Sequence, residues 1–397
     1  MLFLAVSGEN KSRTNKRKGS VMSGRSISLI PGFKTYDDAE LVVLIGKRIR
    51  KLIKAENGDQ DPAYLFSVQS DNPFAPSHLD FKWGNPSYVN MADIDQAIKV
   101  MCRLGSTFDN HYEKVPYMVG AFKHGTPCGL AVSWDHPEEA IENAMLGDPV
   151  AGMGCELITN FSIPNQYSRL LRMIPERLRE RVGRKNWGAD VIVAPDFECN
   201  IEKLGKRPDP QRDRALMSNI ALLNPRLHPT EWMIRPCEGG DFLLQRAPSF
   251  IFDVNNVEEA IIGEPLTEEQ LDSLFIAQVC AWVGSSNAGV FARNRYLIGP
   301  GFGQQDRRTV FWLARKRAEF AGHNLKGSVF ASDAFFFLPE GGEGELVEAP
   351  QLIDELGCVG GVVTADGKNL SLVKDFFRKT RKTVYCVHPQ HRGFSRH

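Results

Sequence analysis

Tyr117-Met118-Val119-Gly120-Ala121-Phe122, then Lys123-His124-Gly125-Thr126-Pro127-Cys128-Gly129, then Leu130-Ala131-Val132-Ser133-Trp134: two strand-like runs joined by a turn. Adjacent residues on a strand point to opposite faces. The turn must therefore break the strand if Lys123 and His124 are to converge on one substrate. A cation beside an imidazole can take a proton from a weak amine nucleophile and stabilise the oxyanion that its attack creates. Taken alone, the same residues also read as a surface lysine beside a turn-capping histidine, because short motifs match often by chance. The surrounding sequence has to decide.

Outward from this stretch, strand and helix patterns alternate. Apolar residues at helical spacing predict helices over 37–55 (Leu41, Ile45, Ile49, Leu52, Ile53) and 90–104 (Met91, Ile94, Ile98, Met101). Helices are also expected over 137–146, which ends at Gly147, and over 166–182, 267–283, 306–321, 350–356 and 370–379. Strands are expected at 156–160, 191–194, 200–204, 220–223, 242–245, 289–292, 295–299, 330–337, 358–364 and 384–387. Such alternation indicates an α/β fold with mostly parallel or mixed sheets. The Gly/Pro/Asn-rich stretch at 236–266 suggests a seam, dividing the chain into 26–245 and 246–397. Residues 1–25 read as a disordered or misassigned leader, with Met22 as a plausible start. Their apolar-then-basic order is the reverse of a signal peptide.

The 397 residues suit two or more globular units. Lys+Arg 48 against Asp+Glu 48 gives no net charge, which argues against nucleic acid or a polyanionic surface as partner. Eight cysteines without a CxxC pair fit reduced thiols in a cytoplasmic protein. No apolar run is long enough to span a membrane.

Seven segments then carry a resemblance. Ser87-Tyr88-Val89-Asn90-Met91-Ala92-Asp93 resembles SYxNxxDA, and Lys123 to Gly129 matches KHxxPCG. Gly147-Asp148-Pro149-Val150-Ala151-Gly152-Met153-Gly154 resembles SDPVSxFG, and Asp190-Val191-Ile192-Val193-Ala194-Pro195 resembles SDxxIAP. Ser285-Ser286-Asn287-Ala288 is similar to QSNS, Ile298 to Gln305 to IGxGxGQQ, and Ser332-Asp333-Ala334-Phe335-Phe336 to SDAFF. In this order they resemble the transformylase half of the bifunctional purine-biosynthesis enzyme family.

That resemblance implies two related three-layer α/β/α subdomains of cytidine-deaminase-like type. It also implies transfer of a formyl group from 10-formyltetrahydrofolate, a co-substrate, to 5-aminoimidazole-4-carboxamide ribonucleotide. Without the usual preceding domain, ring closure to inosine monophosphate would fall to a separate cyclohydrolase. His124 would be the general base. Lys123 would stabilise the oxyanion, and Asn287 would hold the carboxamide or the tetrahedral intermediate. Asn90, Gly154 and Asp190 would line the nucleotide site, although Asn90 also reads as a helix cap. Phe335 and Arg392 would bind substrate, Phe336 and Glu340 the folate. The family's sites form across a homodimer, and a potassium ion would sit near Asp333 and His397. Zinc is not expected: His136-Pro137-Glu138 and Pro127-Cys128 echo a deaminase signature, but in reversed order and without its second cysteine. Gly299-Pro300-Gly301-Phe302-Gly303 reads as a close-approach turn and not as a dinucleotide site.

The chain also departs from the pattern. The phosphate-binding Arg segment is not recognisable; its nearest remnant is Asp71-Asn72-Pro73-Phe74, so Arg392 or Lys82 would have to compensate. Trp282 stands where a Lys is usual, and Glu340 where an Asp is usual. Two alternatives follow: a non-catalytic paralogue that binds the ribonucleotide, or a formyltransferase using another donor.

Overall fold

The computed structural model describes residues 28–30, 42–44, 46–183, 185–186, 188–209, 212–228, 232–337 and 347–395. The expected leader over 1–25, Glu340 and His397 lie outside these residues. The opening stretch forms a hairpin, and that hairpin is the middle of one twelve-stranded sheet. Its strands in chain order are β1 (Asp80–Trp83), β2 (Tyr117–Lys123), β3 (Thr126–Ser133), β4 (Glu156–Thr159), β5 (Val191–Ala194) and β6 (Ala215–Ser218). They continue as β7 (Glu259–Ile261), β8 (Gly289–Arg293), β9 (Tyr296–Gly301), β10 (Val329–Ser332), β11 (Gly360–Thr364) and β12 (Thr383–Val387). Across the sheet the order is β7-β12-β11-β10-β8-β9-β3-β2-β4-β5-β6-β1.

The two halves repeat one plan. An edge strand (β1 or β7) leads into a long helix, α1 (Tyr88–Tyr112) in the first half and α3 (Glu268–Val283) in the second. A hairpin follows, β2–β3 or β8–β9, then a helix, α2 (Pro137–Leu146) or α4 (Arg307–Phe320), then three further strands. In the second half α5 (Ala349–Glu355) and α6 (Leu370–Lys379) separate those strands. β3 and β9 meet antiparallel at Ala131 and Tyr296 and so join the halves.

Of the expected parallel or mixed pairing, the sheet shows the mixed form. Four strand pairs are parallel and seven antiparallel. Both hairpins, both edge strands and the junction are antiparallel, and an alternating strand/helix pattern carries no sign of this.

α1 and α3 lie on one face and share a single core that crosses both halves, with Ile94, Met101, Leu104, Phe108, Leu274, Phe275 and Ile276 in it. The opposite face has one core per half, around α2 and around α4, α5 and α6. Both long helices start on a capping box, Ser87 with Asn90 and Thr267 with Gln270, which satisfies amides that would otherwise lack partners.

Other expectations also give way to context. In place of a helix over 37–55, the described residues form strands Val42–Leu44 and Lys47–Lys51, the latter antiparallel to Tyr64–Ser67. Arg50 stacks 3.9 Å over the Phe81 ring, a long-range contact that overrides the helical spacing. The helix expected over 166–182 is two short ones, Asn165–Leu170 and Glu176–Val182. Pro175 cannot continue a helix and disfavours helical geometry before it. The strands expected at 200–204 and 220–223 are helical turns, started by Asn200 accepting from Lys203 N at 2.7 Å and Asn219 from Ala221 N at 3.0 Å. β6 was not foreseen.

β3 packs so closely on α2 that a Cβ on Gly129 would lie 1.8 Å from the Ala144 carbonyl oxygen. Gly129→Ala should cost about 3 kcal/mol, seen as a lower urea midpoint by circular dichroism. An unchanged midpoint would show that α2 can move away freely.

Candidate active site

β2 ends at Lys123 and β3 begins at Thr126, leaving a two-residue loop. Both loop residues are left-handed, His124 at φ 53° and Gly125 at φ 69°. This is the geometry that two-residue hairpins require, and it breaks the strand between Lys123 and His124. The Asp93 carboxylate, 3% exposed on α1, accepts from His124 N at 3.0 Å and from Gly125 N. The His124 ring remains exposed.

Lys123 Nζ donates to the Met153 carbonyl. Gly154, at φ 72°, leaves open a position 3.5 Å from Asp190 Oδ2 and 3.9 Å from Lys123 Nζ, so these three residues converge. Arg207, not foreseen, pairs with Asp190 at 2.8 Å. Asn90 serves as the cap partner of Ser87 and also donates from Nδ2 to Glu156 Oε1 at 2.7 Å. Glu156 was likewise missed as a site residue, although a carboxylate heading the apolar run Leu157-Ile158 is a readable anomaly. The neighbouring Cys128 is inert: burial pushes its thiol up to about 12.

A second cluster gathers at Asp333, which has no exposed side chain. Its Oδ2 accepts from Asn287 N at 2.9 Å and Ser286 Oγ at 3.1 Å, and its Oδ1 from Arg307 Nη2 at 3.3 Å. Asn287 is held left-handed at φ 55°. The C-terminal segment closes over this cluster through Gly393 N to Asp333 O at 2.7 Å and Ser286 N to Ser395 O at 3.1 Å. Arg307 also lies 5.1 Å from the Phe335 ring centre.

Strand register places both clusters at the same end of the sheet. Phe122 faces Glu156 and Val191 follows it in parallel register; Gly289 faces both Gly301 and Ser332. Yet β3 and β9 stand between β2 and β8, so at about 4.8 Å per strand the clusters are roughly 14 Å apart. Lys123 and His124 are thus brought together with Gly154, Asp190 and Asn90, while Asn287 is grouped with Asp333, Arg307 and Phe335. A cavity of about 500 Å³, lined by Ser133, Trp134, Glu139, Glu269, Asn294 and Arg295, lies at the opposite end.

Some expected contacts are corrected. Phe336 is 2% exposed and packs 5.3 Å from Phe311 and 5.9 Å from Phe330, so it is a core residue and not a folate contact. The candidates for the absent phosphate Arg are already engaged: Arg392 pairs with Asp366, and Lys82 with Asp80 at 2.5 Å. Trp282 donates to the His391 carbonyl at 2.6 Å.

Residues 30–317 match the family described as AICARFT/IMPCHase bienzyme, well over half of the chain. The chain belongs to that family. It is 28% identical over 306 residues to the bifunctional purine biosynthesis protein PurH of Fusobacterium nucleatum, covering 76% of this chain and 52% of that protein. It is 30% identical over 219 residues to the PurH of Thermotoga maritima, covering 55% and 41%. The chain spans about half the length of the curated relatives it matches.

For this family member the residues at Asp333 do not fit the expected potassium. Both carboxylate oxygens already accept from protein donors, and Arg307 supplies the positive charge that burial of an anion demands. The Asp333 carboxyl is still raised, chiefly by burial and against the pull of Arg307. The wild-type melting temperature should be the same in potassium chloride and in choline chloride of equal ionic strength. Arg307→Met should cost about 3–5 kcal/mol, because it leaves a buried carboxylate unpaired. A wild-type melting point that rises specifically with potassium would contradict this arrangement.

Proposed function

We propose that this chain transfers the formyl group of 10-formyltetrahydrofolate to the 5-amine of 5-aminoimidazole-4-carboxamide ribonucleotide, a step of purine biosynthesis. The observation that carries this reading is the Lys123-His124 turn, gripped by Asp93 beside Gly154 and Asp190 in a member of this family. His124 presents an exposed imidazole, whose ring nitrogen can accept a proton as a general base.

The amine nitrogen attacks the formyl carbon, and His124 accepts the amine proton. Lys123 stabilises the oxyanion with its positive charge. Collapse of the tetrahedral intermediate breaks the bond to N10 of the folate, which leaves with a proton delivered from the Lys123-His124 pair. Asn90, Gly154 and Asp190 hold the nucleotide. Asn287, with donor and acceptor on one amide, orients the carboxamide.

The separation of the Lys123 and Asn287 clusters supports a homodimer in which one subunit's turn faces the other's Asn287. Val150 and Met153 beside the first cluster and Phe394 beside the second are 70%, 42% and 48% exposed, surface that such a partner would cover. No helix among the described residues is long and apolar enough to cross a membrane, and we place the reaction in the cytoplasm.

The test mixes purified protein, ribonucleotide and 10-formyltetrahydrofolate and follows tetrahydrofolate release. His124→Ala should lower the rate at least about 100-fold. Nucleotide binding without turnover would replace this reading with a binding paralogue. Turnover only with a different formyl compound would replace the donor.

A further inference from the structure

Glu156 heads β4, and its backbone pairs with Phe122, the residue before Lys123. Its side chain is 2% exposed. Oε1 accepts from Asn90 Nδ2, while Oε2 is buried with no donor against it and has the Asp93 carboxylate as its side-chain neighbour. Among the described residues no Lys or Arg forms an ion pair with it. Asn90 and Asp93 are three residues apart on α1 and so share a face. Glu156 therefore touches the helix turn from which Asp93 reaches the amides of His124 and Gly125.

An unpaired carboxylate is the form that such a site tolerates least. We propose that Glu156 is kept as a neutral carboxylic acid, and that in this form it is a positioning residue for the Lys123-His124 turn. The proposal rests on the formyl-transfer reading only in regarding that turn as catalytic.

Burial first, and the negative charge of Asp93 second, push the Glu156 carboxyl up to about 9. The other titratable groups around it are Asp190 at the start of β5, Cys128 on β3 and the adjacent Cys155. Asp190 also raises it, and both thiols are held protonated by burial, while the nearby cations are engaged elsewhere, Lys123 on the Met153 carbonyl and Arg207 on Asp190. A proton on Glu156 leaves Asp93 as the charged acceptor for the two turn amides. Loss of that proton would set two anions against each other in a dry space and drive Asp93 off the turn.

The linkage has a definite sign. The unfolded side chain ionises near 4.5 and the folded one near 9, so between these values the fold holds one proton more than the unfolded chain. This group's contribution to stability therefore declines as pH rises across that window, and Glu156→Gln removes the slope.

The experiment combines infrared difference spectra with amide hydrogen exchange of the peptide spanning residues 117–126. Glu156→Gln is the reference, and Glu156→Met is a second neutral reference should the first not fold. A carboxylic-acid carbonyl band is expected in the wild type at pH 7, absent from the variants and lost as pH passes about 9. Protection of the His124 and Gly125 amides should match the reference at pH 7 and fall at least tenfold below it at pH 9.5. Absence of the band at pH 7 overturns the neutral acid. A band accompanied by equal protection at pH 9.5 overturns the positioning role. Neither readout needs turnover, so a protein that fails to transfer formyl groups would sink the reaction and leave this inference standing.

Discussion

Asp93 holds the two left-handed amides of a hairpin turn with a carboxylate that has almost no contact with water. The grip ties α1 to the β2–β3 hairpin and sets how Lys123 and His124 leave the sheet. Carboxylate-to-amide bonds are roughly twice as strong as neutral ones, and water is excluded from competing. The cost is a buried anion that forms no ion pair among the described residues. The surroundings answer with the capped first turn of α1, which carries Asn90 to Glu156.

The second half shows what the same scaffold becomes when the turn has another use. α3 puts Ser273 where α1 puts Asp93, and its hydroxyl accepts from Arg295 N at 2.9 Å. The turn again has two left-handed residues, Asn294 and Arg295. Here the buried anion is Asp272, one residue earlier, and it is paired: Arg295 Nε donates at 2.7 Å and Trp134 Nε1 at 2.9 Å. Trp134 follows β3, so the second half's turn is braced against the first half's hairpin. One turn is left open with its imidazole exposed, and the other is closed into a strut between the halves.

Asp333 does a comparable job at the same end of the sheet. Three segments distant in sequence meet on one carboxyl group: the turn carrying Asn287, the start of α4 and the strand end that leads to Phe335. The C-terminal segment joins them at the same residue's backbone carbonyl, to which Gly393 N donates. Arg307 neutralises that centre from within the chain, and the left-handed Asn287 is fixed by a hydrogen bond from its own amide.

Much of this was legible from residue order. Periodicity marked α1, α2, α3, α4, α5 and α6 because each buries one face against a sheet, and the quoted motifs placed Lys123, His124, Gly154, Asp190 and Asn287 at strand ends and turns and Asn90 at the start of a helix. What local pattern could not carry was partnership. Lys47–Lys51 reads as part of a helix until Tyr64–Ser67 pairs with it, and Phe336 reads as a ligand contact until Phe311 and Phe330 enclose it. Glu156 is an oddity in sequence and becomes a site residue only when Asn90 meets it from 66 positions away. The sequence by itself determined the α/β class, the helices and the chemistry-bearing residue types, since these follow from spacing along the chain. Strand direction, the joining of two halves into one sheet, the separation of Lys123 from Asn287 and the charge states at Glu156 and Asp333 were decided by the tertiary structure alone. All of these depend on which distant groups exclude water together.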